Sequence, residues 1–183
     1  MGGGKTAAPE RRALPVEVRA RGRRLEGYAA TFGAEADIGG LFVETIAQGA
    51  FSGSLKRKAD ILALVDHDPG RVLARTRSGT LRLSEDSRGL QFDLDVPETS
   101  YGRDVLALAE RGDVGGMSFS FTPIEEHRDG NRRELRSVEL HEVSAVLSWP
   151  AYDGTTIQAR SLIVPAPIRL YAERTLRILE LSR

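Results

Sequence analysis

Residues 80–121, TLRLSEDSRGLQFDLDVPETSYGRDVLALAERGDVGGMSFSF, decide the fold class, because strand-period runs and one capped helix succeed each other without βαβ alternation. Two strand-like runs flank the polar turn Glu85-Asp86-Ser87-Arg88-Gly89, and Pro97 closes the second. Thr99 or Ser100 can cap the helix that follows. Val105, Leu106, Leu108 and Ala109 form its apolar face, and Gly112 is placed to end it. GGMSFSF then resumes the strand period, with Phe119 and Phe121 on a core face and Ser118 and Ser120 on the other, about 7 Å apart.

The same pattern extends outward in both directions. VEVRARGRRLEGYAATF, from Val16, reads as two strands turning near Arg21-Gly22, with Leu25 and Tyr28 available to a core. FVETIAQGAFSGSLKRK is a strand end followed by a short helix carrying Ala50, Phe51 and Leu55, its last turn basic as the helix dipole prefers. In ILALVDHDPG the apolar run Ile61 to Val65 suits a buried strand that delivers Asp66 and His67 to its end, where Pro69 and Gly70 stop it. RVLARTR adds a strand. Downstream, VGGMSFSFTPIEEHR is one strand segment, and NRRELRSVELHEVSAVLSWPAY supplies two more before Pro150.

Many short strands with two interspersed helices imply a mainly β, α+β fold: a closed or nearly closed antiparallel β-barrel with peripheral helices. Residues 1–14, rich in Gly, Ala, Pro and Arg, read as a flexible leader, and 15–160 as the single domain. In 161–183, Pro165 and Pro167 precede a helical stripe of Ile168, Leu176 and Leu181, which serves a core or an interaction with capsid, scaffold or a second protomer, giving a homodimer. No internal repeat is present.

Composition removes several classes of function. The 183 residues are 40% apolar and 28% charged, enough for one domain with a sizeable core. Lys plus Arg equals Asp plus Glu at 26 each, so no global field draws the chain to nucleic acid or an anionic membrane, although Arg11 to Arg24 is locally basic. A specific nucleic-acid partner is not expected. Without Cys there is no disulfide, thiolate metal site or cysteine nucleophile, and three scattered His give poor metal-site material. No cofactor is implied. No run of about 20 apolar residues can span a membrane, so a soluble protein is expected. MGGGKT contains Gly-Lys-Thr but lacks the Gly ahead of four spacers and the preceding strand of a phosphate loop, and its myristoylation-like spacing is a short pattern.

Three polar residues set in apolar strand sequence then stand out: His67, Ser118 and Glu142. A hydroxyl needs a base to take its proton, and that base needs orienting, so together they are the parts of a serine hydrolase. Each also has a plain reading, as an exposed turn histidine, a solvent-facing strand serine and half of an ion pair. Ser120 shares a face with Ser118. Along HEVSAVL, Glu142 and Ser144 share one side and His141 the other, so the third member is Glu142 or, alternatively, His141. His127, beside Glu125, Glu126 and Arg128, looks solvated.

The segments LEGYAATFG, FVETIAQGAF, LALVDHDPGRVLART, GMSFSF and LHEVSAVLSWPAY, in this order, resemble the prohead maturation proteases of tailed phages over roughly Val16 to Arg160. The resemblance implies a herpesvirus assemblin-like barrel and a serine endopeptidase acting in the host cytoplasm, inside the immature capsid. It implies that the enzyme removes the scaffolding segment of the major capsid protein and cuts scaffold and itself. Carried over by motif, the base is His67 of HDP, the nucleophile Ser118 after Gly-Met, and the acid Glu142 of EVS. Departures from the family pattern are Ser120, where Gly is common, and His141, where an apolar residue is commoner. Gly115 and Gly116 are candidates for letting oxyanion-binding amides approach. A catalytically inactive assembly or scaffold protein of the same fold is the alternative.

Overall fold

Backbone pairing along one long strand near the end of the described chain organises most of the molecule. The computed structural model describes residues 8–14 and 18–147. Its strands are β1 (Glu10–Leu14), β2 (Val18–Arg21), β3 (Arg24–Thr31), β4 (Ala36–Ile38), β5 (Phe42–Ile46), β6 (Leu62–Val65), β7 (Asp68–Arg75), β8 (Leu81–Glu85), β9 (Gly89–Asp95), β10 (Gly116–Asp129) and β11 (Arg132–Val146). Helix α1 (Ser52–Lys56) lies between β5 and β6, and α2 (Ser100–Arg111) between β9 and β10.

The expected mainly β architecture is present as two sheets around one core. Seven strands form a mixed sheet in the order β1-β10-β11-β5-β4, with β6 also beside β11 and β7 beside β6. The other sheet is antiparallel, β2-β3-β9-β8. No ladder among the described residues closes them into a barrel, and β5 and β6 run parallel to β11 rather than antiparallel. Leu25, Leu90, Phe92 and Leu94 from the small sheet meet Met117, Phe119, Phe121, Leu140 and Val143 from the large one, with Phe51 between, all nearly inaccessible. Burying each such side chain contributes about 1.5–3 kcal/mol.

The helix α2 follows its sequence signals. Thr99 caps it, accepting from the Gly102 amide at 3.2 Å, and Gly112 ends it at φ 76°. Val105, Leu106 and Ala109 are buried. Gly102 is needed because a Cβ there would sit 2.3 Å from the Pro97 carbonyl oxygen.

Three expectations need correction. Residues 10–14 belong to the sheet, not to a leader: all five pair with β10. Pro69 and Gly70 do not stop a strand but lie inside β7, because the chain has already turned at Asp66-His67. The segment read as two strands after Asn131 is the single strand β11, whose ladder to β10 absorbs register shifts instead of breaking. Val16, the leader residues 1–7 and everything after Leu147, including Pro150 and the C-terminal stripe, lie outside the described residues.

The β1 segment escaped notice because its anchors are charged. Arg12, Glu44 and Arg133 are only 4, 2 and 3% exposed. Arg12 grips Glu44 through two hydrogen bonds of 2.6 and 2.8 Å and also reaches Glu10 at 2.6 Å. Arg133 binds Glu10 at 2.7 and 2.9 Å, Glu44 at 3.0 Å, and Glu126. Desolvation makes such ions expensive one by one, and breaking one partner of a buried pair typically costs about 3–5 kcal/mol.

Burial pushes the Glu10 carboxyl up, but hydrogen bonds and charge from Arg133 and Arg12 outweigh it and hold the group below the usual range. A depressed carboxylate contributes stability that is complete above its unfolded value of about 4.3 and is lost as pH falls through the folded one. Wild type should therefore be more stable than Glu10→Gln in urea at pH 7, with the gap closing below about pH 4. A gap that stays constant down to pH 3 would contradict this assignment.

Candidate active site

The approach to the site begins at a strained turn. Val65 pairs with Asp68, leaving a two-residue connection of Asp66 and His67, both at positive φ, 48° and 61°. Such primed hairpin turns normally recruit Gly or Asn, since a Cβ in the left-handed region costs roughly 1 kcal/mol. The neighbouring strand holds the turn in place: the Asp66 amide donates to Ala145 O at 3.0 Å, and the Leu147 amide donates to Asp66 Oδ1 at 2.9 Å. His67 is thereby fixed beside the C-terminal half of β11.

A phase break in β11 supplies its partner. The core-facing residues run Leu135, Val138, Leu140, Val143 and Ala145, with steps of three where alternation demands two. The ladder shifts register at the same places, one of them between Ser120 and Phe121, which pair with Glu142 and Leu140 and leave His141 unpaired. Without that bulge, strict alternation from Leu140 would send Glu142 into the core. With it, Glu142 Oε1 meets His67 Nδ1 at 2.5 Å, and Oε2 accepts from the Ser144 hydroxyl at 2.5 Å. A carboxylate only accepts, so Nδ1 carries the proton and Nε2 of a neutral ring keeps its lone pair. A pair in this arrangement can act chemically as a general base with its orienting acid.

His141 serves elsewhere: its Nε2 lies 2.7 Å from Thr122 Oγ1. His127 is exposed, as its charged surroundings suggested. Ser118 lies across the ladder from Ser144, and Ser120 lies across from Glu142. Ser118 is 1% exposed, and its hydroxyl donates to the backbone carbonyl of Arg12 in β1, at 2.8 Å. The structure thus brings His67 and Glu142 together and turns the Ser118 proton towards β1. The Gly115 amide, a candidate oxyanion donor, is used by Val146 O at 2.9 Å.

Three contributors were not singled out as site residues from the sequence. Ser144 could have been found, since it shares the Glu142 face at strand spacing. Asp66 was placed beside His67 at the strand end but given no role, because the turn was read at Pro69-Gly70. Arg12 offers no local sign at all, because a buried arginine is defined only by distant carboxylates.

The comparisons with known proteins fit this frame. Residues 13–164 match the caudovirus prohead serine proteases, and the chain belongs to that family, a family of proteases of phage capsid maturation. The structure is similar to that of the bacteriophage T4 capsid assembly protease, with a TM-score of 0.54 at 12% identity, over 77% of this chain and 97% of that one. At that identity the likeness speaks for the fold. No curated protein sequence matches.

Because His67 sits in left-handed backbone, His67→Gly should be more stable than His67→Ala by about 1 kcal/mol in chemical denaturation. Equal stabilities would show that the turn relaxes out of positive φ when the imidazole is gone.

Proposed function

We propose that this protein is a serine endopeptidase in which Ser118 is the nucleophile, His67 the general base and Glu142 the residue that orients it. The observation carrying the proposal is the 2.5 Å contact between His67 Nδ1 and Glu142 Oε1, which leaves Nε2 free to accept a proton. Once the Ser118 hydroxyl turns from Arg12 to His67, its oxygen attacks a peptide carbonyl carbon while the proton passes to Nε2. Glu142 stabilises the imidazolium, whose proton then goes to the departing amine as the acyl-enzyme forms. Water, deprotonated by the same nitrogen, releases the acyl group. Ser144 and Asp66 hold the acid and the turn in place.

The substrates on this reading are the scaffolding segment of the major capsid protein, the scaffold and the protease itself, cleaved inside the immature capsid. Family membership and the T4 neighbour support that choice. We further read the two facing sheets as opened halves of the barrel that the herpesvirus protease resemblance implies. No helix of the described residues is long and apolar enough to cross a membrane.

Co-expression with the cognate capsid protein, followed by intact-mass measurement of both chains, tests the proposal. Wild type should shorten the capsid protein, Ser118→Ala and His67→Ala should leave it full length, and Glu142→Gln should slow cleavage at least about 100-fold. His141→Ala should cleave like wild type. Undiminished cleavage by Ser118→Ala would transfer the nucleophile to Ser120, and an inert wild type in assembled particles would favour a catalytically inactive assembly protein.

A further inference from the structure

Arg12 joins two features that are otherwise unrelated. Its guanidinium is buried between Glu44 and Glu10, and its carbonyl oxygen receives the Ser118 proton at 2.8 Å. A hydroxyl has a single proton to give. While Arg12 O holds it, His67 Nε2 cannot take it, and an oxygen in a residue 1% exposed cannot meet a substrate carbonyl. The contact spans 106 residues of sequence, so nothing local enforces it.

The strand that makes this contact is built to be separable. Among the described residues β1 stands at the end of its sheet and pairs only with β10, so its withdrawal breaks no other ladder there. The family match begins at residue 13, which places Glu10 and Arg12 ahead of the shared region. Withdrawal would uncover the β10 edge from Met117 to Phe121, the stretch that carries Ser118, and an unpaired edge of that length accepts an extended peptide by strand addition.

Resting on the reading of Ser118 as nucleophile, we infer that β1 holds the enzyme latent. Arg12 is a positioning residue: its ion pairs with Glu44 and Glu10 seat the strand, and the seated strand keeps the Ser118 proton from His67. Acyl transfer then requires an extended substrate to replace β1 on the β10 edge.

A reversible lock tests this. The chain has no cysteine, and Arg11 lies directly across from Ser120, so the double substitution Arg11→Cys with Ser120→Cys places a disulfide between β1 and β10. The probe is a fluorophosphonate: Ser118 Oγ bonds to phosphorus, fluoride leaves, and the hydroxyl proton goes to His67 Nε2. Peptide mass mapping locates the adduct. The reduced form should label at Ser118, and oxidation should slow labelling at least about 100-fold, the scale of a lost general base, with recovery on reduction. Arg12→Ala should label faster than wild type, a gain that unfolding cannot imitate. Labelling of Ser118 at one rate in oxidised and reduced protein would overturn the lock even if Arg12→Ala fails to fold. Absence of a Ser118 adduct in every form, reduced included, would instead overturn Ser118 as nucleophile and the latch with it.

Discussion

Everything in the large sheet depends on satisfying the backbone of β11 on both sides. β10 covers one side along its full length. The other side is shared in sequence by β5, against Arg132–Leu135, and β6, against Glu142–Ala145. Between them α1 and the turn before it close the gap: the Val138 amide donates to Ala50 O at 3.0 Å, and the buried Ser54 hydroxyl donates to Val138 O and accepts from the Leu140 amide, each at 2.8 Å. Unpaired backbone groups at these depths would each cost about 1–3 kcal/mol. That requirement brings β6 alongside β11, and with it the turn that carries His67.

The site's geometry is thus a by-product of ladder accounting with one irregularity. The bulge at His141 re-aims Glu142 without disturbing the core residues on either side of it. Strain at Asp66-His67 persists because β11 bonds the turn at both Asp66 atoms that face it. A His67–Glu142 pair held this way loses little orientational freedom, which is what the proposed general-base role needs.

Buried charge plays the opposite part. The cluster of Arg12, Arg133, Glu10 and Glu44 gains its stability from mutual pairing, and the pairs made by Arg12 and Glu10 form only while β1 is seated. A hydrophobic strand in the same place would seat more cheaply but would lack a discrete way to leave. The Arg12 side chain, lying 5.3 Å from the centre of the Phe121 ring, ties that cluster to the strand carrying Ser118.

The sequence by itself determined the elements whose signals are local: the hairpin of β8 and β9, the Thr99-capped helix, the inward Phe119 and Phe121, and the candidacy of His67, Ser118 and Glu142. Period, caps and turn residues act within a few positions, so one chain read once suffices for them. Only tertiary structure decided that Glu142 and not His141 meets His67 across 75 residues, that residues 10–14 are a strand, and that the Ser118 proton rests on Arg12. A bulge, a buried ion pair and a cross-strand hydroxyl bond are settled by pairing free energies between distant segments, and those exist only once the segments are side by side.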